Sequence, residues 1–158
     1  MGVPVVVSYD CRAVRKLVCL PGSKSIAARA LVSRFVRGLD TRLVNLPSCD
    51  DTRELAGAVA ALAEAYPHAA ELISEYGELP PREMCFNLGN GATTLRYFLA
   101  LAASMPGLVA HIDCGEGLRR RPLKPLIDEL RAHGAEISCH GMEGYAPLTV
   151  FGRRLAGG

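Results

Sequence analysis

Short runs of aliphatic and β-branched residues alternate with longer helical runs along this chain, and the alternation is passed through twice. "VPVVVSY" (3–9) and "RKLVCLP" (15–21) read as strands on either side of a polar turn at Asp10. Residues 24–37 read as a helix with Ile26, Ala27, Ala30, Leu31, Phe35 and Val36 on a wide apolar face and Gly38 as its stop. "TRLVNLP" (41–47) is strand-like. "DDTRELAGAVAALAEA" (50–65) is a second helix, in which Asp51 and Glu54 fit a capping box as N-cap and third helical position. Residues 66–84 are polar, hold Pro67, Pro80 and Pro81, and read as a connector with a short strand near 71–76.

After the connector the order returns. "MCFNLGN" (84–90) is a strand, "ATTLRYFLALAAS" (92–104) a helix and "GLVAHIDC" (107–114) a strand. "RPLKPLIDELRAHG" (121–134) is a helix with Pro122 at its first position and Gly134 as its stop. "AEISCH" (135–140) and "PLTVFG" (147–152) close a hairpin around "GMEGYA". Strand, helix, strand, helix and two strands thus occur in two successive blocks, a duplication of architecture rather than of letters. The expected class is α/β; a general α/β fold without a true repeat fits the periodicity equally well.

Composition narrows the function classes. A chain of 158 residues with 49% hydrophobic and 22% charged residues is long enough for one domain with a real core. A formal net charge of +2 excludes an extended nucleic-acid surface, and the absence of Trp with 6% aromatics excludes a base- or sugar-stacking platform. The six cysteines form no C-x-x-C pair and read as reduced thiols rather than a zinc site. The start has neither the basic segment nor the apolar core of a signal peptide, and no apolar run reaches membrane-spanning length, so a soluble cytoplasmic protein is expected.

Basic chemistry must therefore be local, and it sits at helix starts. In "CLPGSKSIAARALVSRFVRG" (19–38) a Pro-Gly turn places Lys24 in a first turn, where the helix dipole disfavours a cation by roughly 0.3–1 kcal/mol. Ser25 and Arg29 lie on one face of that helix, and side chains lean toward its N-terminus, so Arg29 reaches back to the same site. The loop "GNGATT" (89–94) offers Asn90, glycine-permitted backbone N–H groups around Ala92, and Arg96 one turn on. Arg119, Arg120 and Arg121 stand immediately before Pro122. Helix N-termini with small residues accept phosphate and carboxylate, and arginine adds bidentate recognition. The pattern points to an anion site whose parts meet if the blocks repeat in space.

Other readings of these residues fail. "GSKS" is not a Walker A loop, because Ser23 rather than glycine precedes Lys24 and the upstream glycine is missing. Asp50 and Asp51 read as helix capping rather than a metal pair. His68, His111, His133 and His140 have no ligand spacing, and Lys124 with Asp128 reads as a solvated pair one turn apart.

"LPGSKSIAARAL", "NLPSCDDTREL", "LGNGATTLR", "RRRPLKPLIDELRAHGAEI" and "GYAPLTVFG", in this order and approximate spacing, resemble the 5-enolpyruvylshikimate-3-phosphate synthase family from about residue 3 to the end. The resemblance implies the enolpyruvyl transferase fold, an inside-out α/β barrel of βαβαββ units with helices inward and sheets outward. It implies transfer of the enolpyruvyl group of phosphoenolpyruvate to the 5-hydroxyl of shikimate 3-phosphate, by addition and elimination, with release of phosphate. It implies no cofactor, no metal, no nucleic-acid or membrane partner, and a monomeric parent enzyme. Carried over by motif, Lys24 is the catalytic lysine contacting both substrates, and Ser25 and Arg29 are shikimate-phosphate binders. Asn90 and Ala92 lie in the phosphoenolpyruvate loop, with Arg96 following; Arg119, Arg120 and Arg121 are the candidates for the further phosphoenolpyruvate cation, and which of them faces it is left open. UDP-N-acetylglucosamine enolpyruvyl transferase is a related alternative with a different lysine loop and a reactive cysteine.

The chain departs from the family pattern at three places. Its loop reads Asn90-Gly91-Ala92-Thr93 where the family has N-A-G-T or N-S-G-T, so the Ala92 methyl is expected to weaken binding of the inhibitor glyphosate more than that of substrate. Gly117 stands where many members carry an arginine, and Ala27 and Ala28 replace hydrogen-bonding residues. The resemblance also divides the chain: residues 1–20 as a segment pairing with the other lobe, 21–83 as one unit and 84–158 as a second, the remainder of a two-lobed enzyme being absent. Such a fragment is expected to be inactive by itself; a stand-alone anion-binding or structural domain is the alternative.

Overall fold

The computed structural model describes residues 20–71 and 79–156. Two helices come first, α1 (Lys24–Val36) and α2 (Asp50–Ala65). They are followed by β1 (Arg82–Asn87), α3 (Ala92–Ala103), β2 (Leu108–Asp113), the single-turn α4 (Glu116–Arg119), α5 (Lys124–Ala132), β3 (Glu136–Cys139) and β4 (Leu148–Phe151). Among the described residues the strands make one sheet in the order β1-β2-β4-β3, with β1 parallel to β2 and the other neighbours antiparallel. This is the βαβαββ order expected for the second block. The strands expected at 3–9 and 15–21, and that near 71–76, lie outside the described residues or nearly so.

The hydrophobic pattern explains the layering. In β2 burial alternates residue by residue, so Leu108, Ala110 and Ile112 face the helices while Val109, His111 and Asp113 face outward. Phe86, Ile137, Leu148 and Val150 join the same inner face. Helix α3 is apolar nearly all round: Leu95, Phe98, Leu99, Leu101, Ala102 and Ala103 are all buried. It packs against α1, α2, α5, β2 and β4, and the rings of Phe86 and Phe98 lie 4.5 Å apart in a tilted pair. On the outer sheet face Thr149 is hydrogen-bonded between His111 Nδ1 (2.8 Å) and His140 Nε2 (2.6 Å), while His111 Nε2 meets Glu83 (2.6 Å). The histidines thus serve a cross-strand network.

One close approach demands glycine. The Gly152 N–H bonds the Leu108 carbonyl at 2.7 Å, and a Cβ there would stand 1.9 Å from the Met105 carbonyl oxygen.

Two expectations are corrected. Residues 41–47 form no strand: Asn45 takes φ 55, which breaks an extended run, and Val44 and Leu46 remain exposed. The last long helix begins at Lys124, not at Pro122. Leu123 is buried and its N–H bonds the Gly144 carbonyl, so the chain is held before the helix, and Pro125 occupies the first turn. The short α4, which no apolar period announces, fills the gap.

Because Leu99 is fully buried in α3, Leu99→Ala should cost about 2–5 kcal/mol of unfolding free energy. Urea titration followed by circular dichroism measures it, and a loss below about 1 kcal/mol would contradict the central place of α3.

Candidate functional site

Three helix starts meet. Helices α1, α2 and α3 begin after Ser23, Cys49 and Gly91, each in an extended backbone conformation and none with a side-chain cap. Lys24 Nζ, at the first residue of α1, donates to Asp51 Oδ2 at 2.8 Å. Thr94 Oγ1, in the first turn of α3, donates to the Asp51 backbone carbonyl at 2.9 Å. Gly91 lies against the same carboxylate: a Cβ there would be 2.9 Å from Asp51 Cγ. One turn further along α2, Glu54 covers Gly89, whose φ of +54 suits glycine and whose missing side chain makes room for the carboxylate.

A second junction adjoins the first. The loop after β1 and the loop after β2 run side by side at the carboxyl ends of two parallel strands, where open α/β sheets place their ligands. Gly115 N–H bonds the Gly89 carbonyl at 2.6 Å, and the Asn90 carboxamide lies over Gly115, leaving no space for a Cβ. Asp113, the last residue of β2, accepts from its neighbour Cys114 N–H and from Arg119 Nε at 2.8 Å, with Arg119 Nη2 completing a bidentate pair.

The structure brings Lys24, Ser25, Asn90, Ala92 and Arg119 to this edge through α1, α3 and the two loops. Arg29 and Arg96 each fold back one turn toward their own helix starts, to the Ser25 carbonyl (3.5 Å) and the Ala92 carbonyl (3.3 Å). The three consecutive arginines differ. Arg119 pairs with Asp113 and Arg120 with Glu116, whereas Arg121 has no carboxylate partner among the described residues. Lys124 and Asp128 pair as expected.

The expected capping box is not formed. Helix α2 starts at Asp50, so Asp51 is its second residue and its side chain turns to Lys24 instead of the backbone. Two adjacent aspartates allow two start registers, and only the contact with α1 chooses between them. Asp51 is the residue that sequence reasoning misassigned.

Local charge follows these contacts. The hydrogen bond to Asp51 raises the Lys24 ammonium above the usual lysine range. A hydrogen bond with Thr52 (3.2 Å) lowers the Cys49 thiol. Arg119 holds the Asp113 carboxyl below the usual aspartate range. Among the described residues no three His, Cys, Asp or Glu groups come together as a metal set, and no helix is long and apolar enough to cross a membrane. A cleft of about 600 Å³ lies elsewhere, lined by Leu31, Phe35, Val59 and Tyr66 toward the far end of α1.

The family model for EPSP synthase (3-phosphoshikimate 1-carboxyvinyltransferase) matches residues 10–158. Similar curated proteins are 3-phosphoshikimate 1-carboxyvinyltransferases. That of Rhizobium etli is 35% identical over 84% of this chain and 31% of its own length. That of Opitutus terrae is 34% identical over 93% and 36%, and that of Bordetella petrii 33% over 98% and 35%. The chain therefore spans about a third of the length of these relatives. Two solved structures of EPSP synthase from Acinetobacter baumannii match 85% of this chain with TM-scores of 0.58 and 0.60. They cover 31% and 32% of those chains at 18% and 19% identity, a likeness of fold.

Thr94→Val, which removes the donor to Asp51, should cost about 1 kcal/mol in urea titration. The Asp113–Arg119 pair is complete at neutral pH and is lost as acid passes through the lowered Asp113 value. The stability gap between parent and Asp113→Asn should thus be present at pH 7 and close below about pH 4, measured by thermal melts across that range.

Proposed function

Since the chain belongs to the EPSP synthase family, we propose that it supplies the lysine and phosphoenolpyruvate-loop portion of a 3-phosphoshikimate 1-carboxyvinyltransferase of the shikimate pathway. That reaction adds the 5-hydroxyl of shikimate 3-phosphate across the double bond of phosphoenolpyruvate, oxygen to C2 and a proton to the methylene carbon, then loses phosphate from C2 and a proton from the methyl group as the double bond re-forms. The single observation that carries the reading is the meeting of the α1 and α3 starts, which sets Lys24 beside the Asn90–Ala92 loop. Both substrates are anions, and both helix starts present positive dipole ends with no side-chain cap.

The roles are those that the family motifs imply for the residues standing at this edge. Lys24, at the junction, contacts both substrates and moves or holds the proton between them. Ser25 and Arg29 bind the phosphate of shikimate 3-phosphate. Backbone N–H groups from Asn90 to Ala92 receive phosphoenolpyruvate, with Arg96 behind them. Of the three arginines, Arg121 is assigned to the phosphoenolpyruvate phosphate, because Arg119 and Arg120 are engaged by carboxylates. We take the βαβαββ order within 84–158 as one of the fold's repeated units and the two helices within 21–83 as part of another. Turnover needs charges on every side of the transition state, and the cations of this region supply part of them.

The test is ³¹P line broadening of phosphoenolpyruvate and of shikimate 3-phosphate by the 158-residue chain. Lys24→Met should weaken both, and Arg121→Ala phosphoenolpyruvate alone, by about tenfold, or about 1.4 kcal/mol. Absence of broadening, or broadening that both variants leave unchanged, would overturn the assignment.

A further inference from the structure

We propose that Asp51 is a positioning residue, which fixes the Lys24 ammonium over the Gly89–Ala92 loop and fastens the first turn of α3 to that of α2. The proposal rests on the reading that Lys24 contacts two anionic substrates.

Three contacts converge on this one residue: its carboxylate on Lys24 Nζ, its carbonyl on Thr94 Oγ1, and its Cγ against Gly91. Lys24 is half-exposed on a flexible four-carbon stem, and Asp51 is the better-buried partner, 51% against 24% side-chain exposure. The anchor is therefore the aspartate. Its own place is set twice, by its position at the positive end of α2 and by the bond from Thr94. So exposed a pair contributes little stability, which leaves orientation as its effect.

The donor count fits the chemistry. A lysine ammonium has three N–H donors. Asp51 takes one and fixes the direction of the other two, one for each substrate. The acidic and thiol groups facing Lys24 are Asp51, in the first turn of α2, and Cys49, the residue before that helix. From α3 the contact is made by Thr94 and Gly91, which do not titrate, and Arg29 on α1 turns to the Ser25 carbonyl.

The chain has only three lysines, Lys16, Lys24 and Lys124, so their ¹³Cε signals can be followed one by one in the 158-residue protein. In Asp51→Asn, Lys24 should titrate at lower pH than in the parent while Lys124 is unmoved. Its ¹⁵Nζ relaxation should show a freer ammonium, and phosphoenolpyruvate should bind about fivefold more weakly although a negative charge has been removed. Thr94→Val, which loosens the helices without touching the charge, should leave the Lys24 titration in place and serves as the structural control. An unmoved Lys24 titration in Asp51→Asn would overturn the proposal. So would tighter phosphoenolpyruvate binding, the behaviour of a merely competing counter-ion. If the parent binds neither substrate, the functional reading of the preceding section fails instead, and the ammonium measurements decide the role of Asp51 by themselves.

Discussion

Burial of most of α3 governs where the other elements can sit, because only the side of this helix that carries Arg96 is given to solvent. The sheet covers one side, α1 and α2 cover another, and α5 closes a third. With those neighbours in place, the N-terminus of α3 comes up between the starts of α1 and α2. The chemistry at the edge of the molecule is therefore a consequence of packing in its middle.

The electrostatics of that edge are half satisfied from within. Lys24, Arg119 and Arg120 have carboxylate partners, whereas Arg29, Arg96 and Arg121 have none among the described residues. Like charges crowded at helix starts repel one another. Internal carboxylates relieve this repulsion, and in doing so they orient the long side chains.

Much of the second block was legible because its signals are strong and local. Burial in β2 alternates cleanly, Gly134 ends α5, and "GMEGYA" separates the strands of the hairpin. Residues 41–47 misled because β-branched and aliphatic residues are necessary for a strand but do not supply its partner; Asn45 turns the chain out of the extended region. Pro122 misled because a proline is permitted at a helix start without requiring one there. Leu123 and its bond to Gly144, a contact between distant residues, move the start to Lys124.

By itself the sequence determined that cations stand at helix starts in an α/β chain, and the motif order around them determined the family. Both are short-range facts, carried by neighbouring residues and the helical period. Only the tertiary structure decided that Asp51 faces Lys24 rather than its own backbone, and that of the three consecutive arginines Arg121 is the one without a carboxylate partner among the described residues. The reason is physical: capping and ion pairing compete for the same carboxylate, and the winner is set by which foreign helix arrives beside it.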